Sequence, residues 1–362
     1  MKKFSIYVYA ICKNEEKFVD RWVNSMSEAD GIIVIDTGSN DNTVNKLKEH
    51  NVKVYEKTIS PWRFDVARNI SLSHVPEDAD ICVCTDLDEV FEPGWRKKVE
   101  NSWSYDTQRL SYRYTWNFNK DGSEGYVFWI DKIHSRNNFK WIHPVHEVLQ
   151  YTGQNPYITK LAEGVQLNHH ADESKPRTQY LTLLELSVTE DPYDDRNMHY
   201  LGREYMFHKE WQKCISTLKK HLKMPNAQWK DERAASMRYI AKSYYNLGNI
   251  EKSKTWYLRS IAEAPHLREP YIDMALLLYD LKEWMGVIYM CESAIKIKDR
   301  PKTYICEAAS WGSLPYDLLS ISYYQIKNYK EALKFAEQAV TASPHDERLL
   351  RNLEIIKREN LR

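Results

Sequence analysis

Ile81-Cys82-Val83-Cys84-Thr85-Asp86-Leu87-Asp88-Glu89 is the stretch on which the reading of this chain turns. Apolar, strand-like residues run from Ile81 straight into two aspartates one residue apart. A strand end is rigid, so carboxylates at its tip are held still. Two of them at this spacing can converge on a hard divalent cation, which also takes phosphate oxygens. Asp-x-Asp alone is common in solvated loops; its weight here comes from the strand before it. The arrangement points to a metal-bridged diphosphate, and so to nucleotide chemistry.

Outward from this stretch the pattern is one of repeated strand–helix units. Strands are expected at residues 4–11, 31–35, 52–56 and 81–85, and helices at 15–26, 43–50 and 66–73. In the first helix Phe18, Trp22 and Val23 share a face. Continuously apolar strands alternating with helices imply a mostly parallel sheet covered on both faces. Such sheets bind ligands at the carboxyl ends of their strands. The conspicuous polar residues fall there: Cys12-Lys13-Asn14-Glu15, Asp36, and the Asp86/Asp88 pair. Further strands are expected at 110–118, 125–133 and 158–167.

Composition narrows the classes. The 362 residues are 43% hydrophobic, enough for two cores. Lys+Arg 51 balances Asp+Glu 51, so no global field draws nucleic acid or an anionic membrane. The six cysteines have no zinc-finger spacing, and Cys82 and Cys84 read as strand packing; a reducing, cytoplasmic setting is expected. The apolar run after Met1-Lys2-Lys3 is too short for a signal peptide, and no stretch is long enough to span a membrane.

From about Tyr180 the pattern becomes helical. Tyr239 to Pro265 and Leu318 to Pro344 are copies of one motif, Leu201 to Pro225 is a third, and Tyr271 to Ile297 a degenerate fourth. Small residues at helix crossings, a tyrosine on the first helix and a closing proline match the tetratricopeptide pattern of about 34 residues. Residues 346–360 read as a terminal capping helix. The expected division is 1–178, an α/β domain, and 179–362, an all-α solenoid.

Four blocks carry a family resemblance: Ala10-Ile11-Cys12-Lys13-Asn14-Glu15, Ile35-Asp36-Thr37-Gly38-Ser39-Asn40-Asp41-Asn42-Thr43, Phe64-Asp65-Val66-Ala67-Arg68-Asn69 and Asp86-Leu87-Asp88-Glu89. In this order the N-terminal half resembles family-2 glycosyltransferases, which have the GT-A fold, a Rossmann-like mixed sheet. The likeness continues through Trp141-Ile142-His143-Pro144-Val145-His146-Glu147 and His169-His170-Ala171-Asp172. The whole chain is similar to a bacterial or phage subgroup that fuses this domain to tetratricopeptide repeats.

The resemblance implies an inverting hexosyltransferase that uses a UDP-sugar and Mn2+ or Mg2+. It implies that Ala10, Cys12, Asn14, Glu15, Asp36, Arg68, Asp86 and Leu87 bind the donor nucleotide. Asp36 would accept the uracil N–H, or open a turn that caps the helix near Thr43. Asp88 would bind the metal, with His169 as a further ligand and His170 as its competitor. The base that an inverting transfer needs falls to Glu147, with Asp172 and Asp131 as alternatives; the family's usual Glu-Asp pair is missing. Glu89 would support the aspartate loop. Trp116, Trp129 and Trp141 would stack on sugar or pack internally. The expected acceptor is a protein or peptide presented by the repeats, which also offer a surface for a homo-oligomer. The rival reading is a scaffold whose transferase-like domain binds nucleotide without turning it over.

Overall fold

The computed structural model describes residues 4–118, 122, 124–172 and 179–361. The chain divides into two compact units, Met1–Ser187 and Val188–Arg362. The break lies inside the helix Gln179–Glu190. The residues just before position 179, where the sequence pattern changes, are outside the described ones.

In the first unit ten strands are described: β1 (Ile6–Cys12), β2 (Gly31–Asp36), β3 (Lys53–Glu56), β4 (Ile81–Cys84), β5 (Glu89–Phe91), β6 (Thr107–Thr115), β7 (Val127–Ser135), β8 (Phe139–Ile142), β9 (Val148–Tyr151) and β10 (Ile158–His169). The helices are α1 (Val19–Met26), α2 (Thr43–Glu49), α3 (Phe64–Ser73), α4 (Trp95–Ser102) and α5 (Gln179–Glu190). Eight strands form one sheet in the order β3-β2-β1-β4-β7-β6-β10-β5, and β8 and β9 form a separate hairpin. The sheet is parallel from β3 to β4 and mixed beyond, because β7 runs antiparallel to both β4 and β6. Ile6, Val8 and Ala10 of β1, with Trp22, Met26 and Trp95 from the helices, belong to one fully buried core. Burying an aliphatic or Phe-sized side chain contributes about 1.5–3 kcal/mol.

Three details differ from the expected elements. The first helix begins at Val19; before it the Phe18 N–H donates to the Glu15 carbonyl (2.8 Å) in a turn, and the N–H groups of Glu15 and Glu16 donate to Thr43 Oγ1 (2.7 Å) and Asp41 Oδ2 (3.2 Å). Asp36 does not cap α2: Asp41 Oδ1 accepts from the Thr43 N–H at 3.0 Å. The short strands β5, β8 and β9 carry too few residues to show a period, and α4, with only Trp95 and Val99 as buried apolar residues, was not expected either.

His134 of β7 is fully buried and lies beside Tyr9, whose hydroxyl is 2.8 Å from His134 Nε2 and accepts from Trp141 Nε1 at 2.8 Å. Burial pushes the His134 pKa down to about 3. An unfolded chain binds this proton below about pH 6.5, and the native state refuses it until about pH 3. Stability from this group is therefore complete above the unfolded pKa and lost as pH falls below it. His134→Gln, which hydrogen-bonds but does not titrate, should flatten the acid slope of urea stability by up to about 1.4 kcal/mol per pH unit. An unchanged slope would show that the histidine exchanges protons freely in the native state.

The second unit contains α6 (Asp195–Phe207), α7 (Trp211–His221), α8 (Lys230–Asn246), α9 (Ile250–Glu263), α10 (Glu269–Asp280), α11 (Trp284–Lys296), α12 (Ala308–Trp311), α13 (Leu314–Gln325), α14 (Tyr329–Ala342) and α15 (Glu347–Asn360). One turn recurs between the paired helices. Lys209, Gly248, Lys282 and Lys327 all have positive φ. The next residue's N–H donates back to a carbonyl five positions earlier: Glu210 to Tyr205, Asn249 to Tyr244, Glu283 to Leu278 and Asn328 to Tyr323. This is the Schellman closure of a helix end. Its recurrence makes the degenerate pair α10–α11 structurally equivalent to the others. Gly202 is needed for close packing, since a Cβ there would lie 2.2 Å from Leu218 Cδ2.

The connection from α11 to α13 is long and folds back as a strap over the first helices of the pairs. Tyr304 donates to Glu232 Oε2 and its ring meets Trp229 at 5.4 Å. Glu307 accepts from Arg238 at 2.6 Å, and Trp311 Nε1 donates to Glu269 at 2.9 Å.

Candidate active site

The parallel strands end together: Cys12 pairs with Asp36, and Asp36 with Glu56. Beyond these ends two loops brace each other. The Asn14 N–H donates to Ser39 Oγ (2.8 Å), and Asn14 Oδ1 accepts from the Asn40 N–H (2.7 Å). Asp36 is almost fully buried and folds its carboxylate into its own turn. Its oxygens accept from the N–H groups of Gly38 and Ser39 (3.0 Å each), from the Ser39 hydroxyl and from Cys12 Sγ (3.5 Å). Ala10 and Leu87, expected to touch the donor, are packed in the core, so only their backbone is available at the site.

Arg68 is the hub. Held by α3 at 4% exposure, it donates through Nη2 to Asp86 Oδ1 (2.8 Å), through Nε to Glu147 Oε1 (2.5 Å) and through Nη1 to Cys84 Sγ (3.2 Å). Its guanidinium lies 5.2 Å from the Trp141 ring centroid. Asn69 beside it clasps the β8 backbone, with Nδ2 donating to the Trp141 carbonyl (2.8 Å) and Oδ1 accepting the Trp141 N–H (2.9 Å). That clasp positions the hairpin whose connecting loop carries Glu147. His143 and His146 in this loop both have positive φ.

Lys132 of β7 completes a charge cluster, with Nζ 3.5 Å from Asp86 Oδ2 and 3.4 Å from Glu89 Oε1. Burial works hardest against ionisation of Asp86, but Arg68 and Lys132 overcome it and hold the carboxyl well below its usual range. Glu89 is buried, accepts from the Asp86 N–H (2.9 Å) and from the Tyr114 hydroxyl (2.8 Å), and is raised by that burial. It shapes the loop from within. Lys132 was not singled out from sequence, because β7 reads Val127-Phe128-Trp129-Ile130-Asp131-Lys132-Ile133 and has no alternation to assign the lysine a face.

Asp88 turns away from this cluster toward β10. Its Oδ2 is 3.2 Å from His169 Nε2, while His169 Nδ1 is 2.7 Å from the Trp116 carbonyl. That carbonyl can only accept, so Nδ1 carries a proton; burial disfavours a second one, but the Asp88 carboxylate outweighs it and raises the His169 pKa, so without an ion the pair shares a proton at Nε2. Two acceptors facing each other require a proton or a cation between them. The donor set fits a divalent metal, and the Trp116 carbonyl orients the imidazole as outer partners of metal-bound histidines do. His170 instead stacks on Phe118 at 5.2 Å and gives its N–H to the Asp88 carbonyl (2.8 Å).

The remaining candidates separate. Asp172 pairs with Lys17 at 2.8 Å. Asp131, beside Lys132 in β7, pairs with Arg109 at 2.6 Å, away from the cluster that Lys132 joins. Trp141 is buried, whereas Trp116 is 41% exposed with its ring 4.7 Å from His169.

Residues 7–152 match the family model described as Glycosyl transferase family 2, and residues 315–346 match Tetratricopeptide repeat. The chain joins a family-2 glycosyltransferase domain to tetratricopeptide repeats. The transferase match spans every residue of the Arg68–Asp86–Glu147 cluster and Asp88, and ends before His169. Among solved structures, a crystal structure of MamA protein is 16% identical over 45% of this chain and 81% of that one, with TM-score 0.36. Yeast Tom70 is 14% identical over 52% of this chain and 37% of that one, with TM-score 0.41. A tetratricopeptide repeat protein from Parabacteroides merdae is 16% identical over 50% of this chain and 66% of that one, with TM-score 0.38. No curated protein matches the chain in sequence. The family-2 domain supports a glycosyl transfer function. Among the described residues no helix is long and apolar enough to cross a membrane.

Proposed function

We propose that the transferase domain moves a sugar from a UDP-sugar, with inversion and with a divalent metal, to a protein or peptide acceptor. The observation that carries this reading is the pairing of Asp88 with a His169 whose tautomer is set by a carbonyl, beside the Arg68–Asp86–Lys132 cluster. Asp88 and His169 would hold the ion, and imidazole nitrogen favours Mn2+ over the oxygen-seeking Mg2+. When bound, the metal supplies Lewis-acid charge to the departing diphosphate.

The residues of the chain supply the rest. Arg68 and Lys132 bring two fixed positive charges to the diphosphate end, and Asp86 holds them in place while facing the ribose. Asn14 and Glu15 line the donor through their braced loop. Asp36 reads the uracil N–H by exchanging its weakest partner, the Cys12 thiol, for the base.

Glu147 is the proposed base, with Asp172 next. Because Glu147 also anchors Arg68, its two roles separate kinetically. Glu147→Gln as base loss should lower kcat on the order of 100-fold with UDP-sugar binding intact. A variant that binds donor poorly but transfers at a normal kcat would make Glu147 only the arginine's anchor and pass the base to Asp172.

The direct test of the function is UDP release from a panel of UDP-sugars with Mn2+, with and without chelator. Release that a chelator leaves unchanged, or none from any UDP-sugar, rejects the proposal. Acceptor docking on the first helices of the repeats would compete with the strap through Tyr304, Glu307 and Trp311.

A further inference from the structure

Three buried side chains of the helical unit have no part in this chemistry. His199 of α6, His221 at the end of α7 and Glu232 of α8 come from three successive helices, and one ligand atom from each lies within 4.8 Å of the others. All are under one-tenth exposed, at 1%, 0% and 4%. Ser236, one turn after Glu232, lies with Oγ 2.7 Å from His199 Nδ1 and 3.0 Å from His221 Nδ1. A hydroxyl oxygen has two lone pairs, so it can take an N–H from both rings and leave both Nε2 atoms as ligands. His221 Nε2 lies 3.2 Å from Glu232 Oε1, while the other oxygen, Oε2, is held by Tyr304. Among the described residues the His199 ring makes one hydrogen bond, the one at Nδ1.

We propose that His199 Nε2, His221 Nε2 and Glu232 Oε1 form a binding site for one divalent transition-metal ion, zinc by its donor set. Two imidazoles and a carboxylate are a recurrent zinc set, with water completing the fourth position. Ser236 does for both rings what outer partners do at metal sites: it fixes their tautomer and orientation. The ion takes the place of the one proton shared by His221 and Glu232, which leaves to solvent on binding. It ties together three helices, so binding adds directly to the unit's stability. The rival arrangement is a proton chain from His199 through Ser236 and His221 to Glu232, with no ion. That chain leaves His199 Nε2 without a role.

The test uses the full chain carrying Asp88→Ala, so that the transferase site does not add to the count. After chelation and dialysis against one equivalent of Zn2+, native mass spectrometry should find one zinc per chain. Addition of His221→Gln or Glu232→Gln should abolish it. Co2+ in place of zinc should give the visible bands of a tetrahedral N/O site, and Zn2+ should raise the melting temperature by several degrees only where all three ligands are present. Should the ligand variants misfold, Ser236→Ala keeps every ligand and should weaken zinc about 10- to 100-fold, with helix content unchanged by circular dichroism. No zinc retained by the Asp88→Ala protein, or equal retention in the ligand variants, overturns the site in favour of the hydrogen-bonded core.

Discussion

Asp88→Ala should lower metal-dependent donor turnover on the order of 1,000-fold while leaving both units folded. The substitution removes the carboxylate that faces His169 Nε2 at 3.2 Å and leaves that imidazole without its partner. A Lewis-acid metal supplies several kcal/mol to a departing charged group, and each 1.36 kcal/mol is tenfold in rate. The fold should tolerate the change, because the Asp88 carbonyl still accepts from the His170 N–H at 2.8 Å. Leu87 and Glu89 on either side keep their buried positions. Added Mn2+ should rescue the variant only weakly. Turnover within twofold of wild type, with the same metal dependence, would remove Asp88 from the proposed metal site.

Arg68→Met should destabilise the transferase domain by about 3–5 kcal/mol. Removing one member of a buried ion cluster leaves the others charged and unpaired in a poorly solvated place. Here Asp86 and Glu147 would both lose their guanidinium contacts, and the cation–π contact with Trp141 would go too. Lys132 would remain near Asp86 and soften the loss, but it makes no contact with Glu147 in the structure. Arg68→Lys keeps the charge without the planar fork, which alone can serve Asp86, Glu147 and Cys84 together, so it should recover only part of the stability. Urea unfolding followed by tryptophan fluorescence measures both variants, and UDP titration calorimetry should show weakened binding in each. A loss below about 1 kcal/mol for Arg68→Met would mean that the cluster is solvated and that Arg68 is not its organising residue.

Much of this was legible in order and type. The apolar strands up to Cys84 and the alternation with helices give the parallel part of the sheet, because period and composition are local properties. The repeat pattern was visible where Tyr, small residues and Pro recur. The left-handed turn itself falls on Lys209, Lys282 and Lys327 in three pairs and on Gly248 in one, so the degenerate pair keeps it. The helices on either side impose the turn, and its residue type alone does not mark it. The blocks around Asp36, Arg68 and Asp86 pointed to one site because each follows a strand or opens a helix next to one.

What stayed hidden was partnership. Nothing local says that Glu147, 79 positions from Arg68, shares its guanidinium, nor that Asp36 spends its lone pairs on its own turn. Lys132 joins the site only because β7 runs antiparallel beside β4, and His169 meets Asp88 only because β10 pairs with β5.

The sequence alone therefore determined the classes of element, the two-part organisation and the residue types able to do nucleotide chemistry, all of which depend on short-range periodicity and composition. Tertiary structure decided which carboxylate is neutralised by which cation, which imidazole nitrogen is exposed to which oxygen, and which three helices bring His199, His221 and Glu232 together. Those outcomes depend on distances of a few ångströms between segments far apart in the chain, and on burial that makes each unpaired charge costly; neither is written in any one segment.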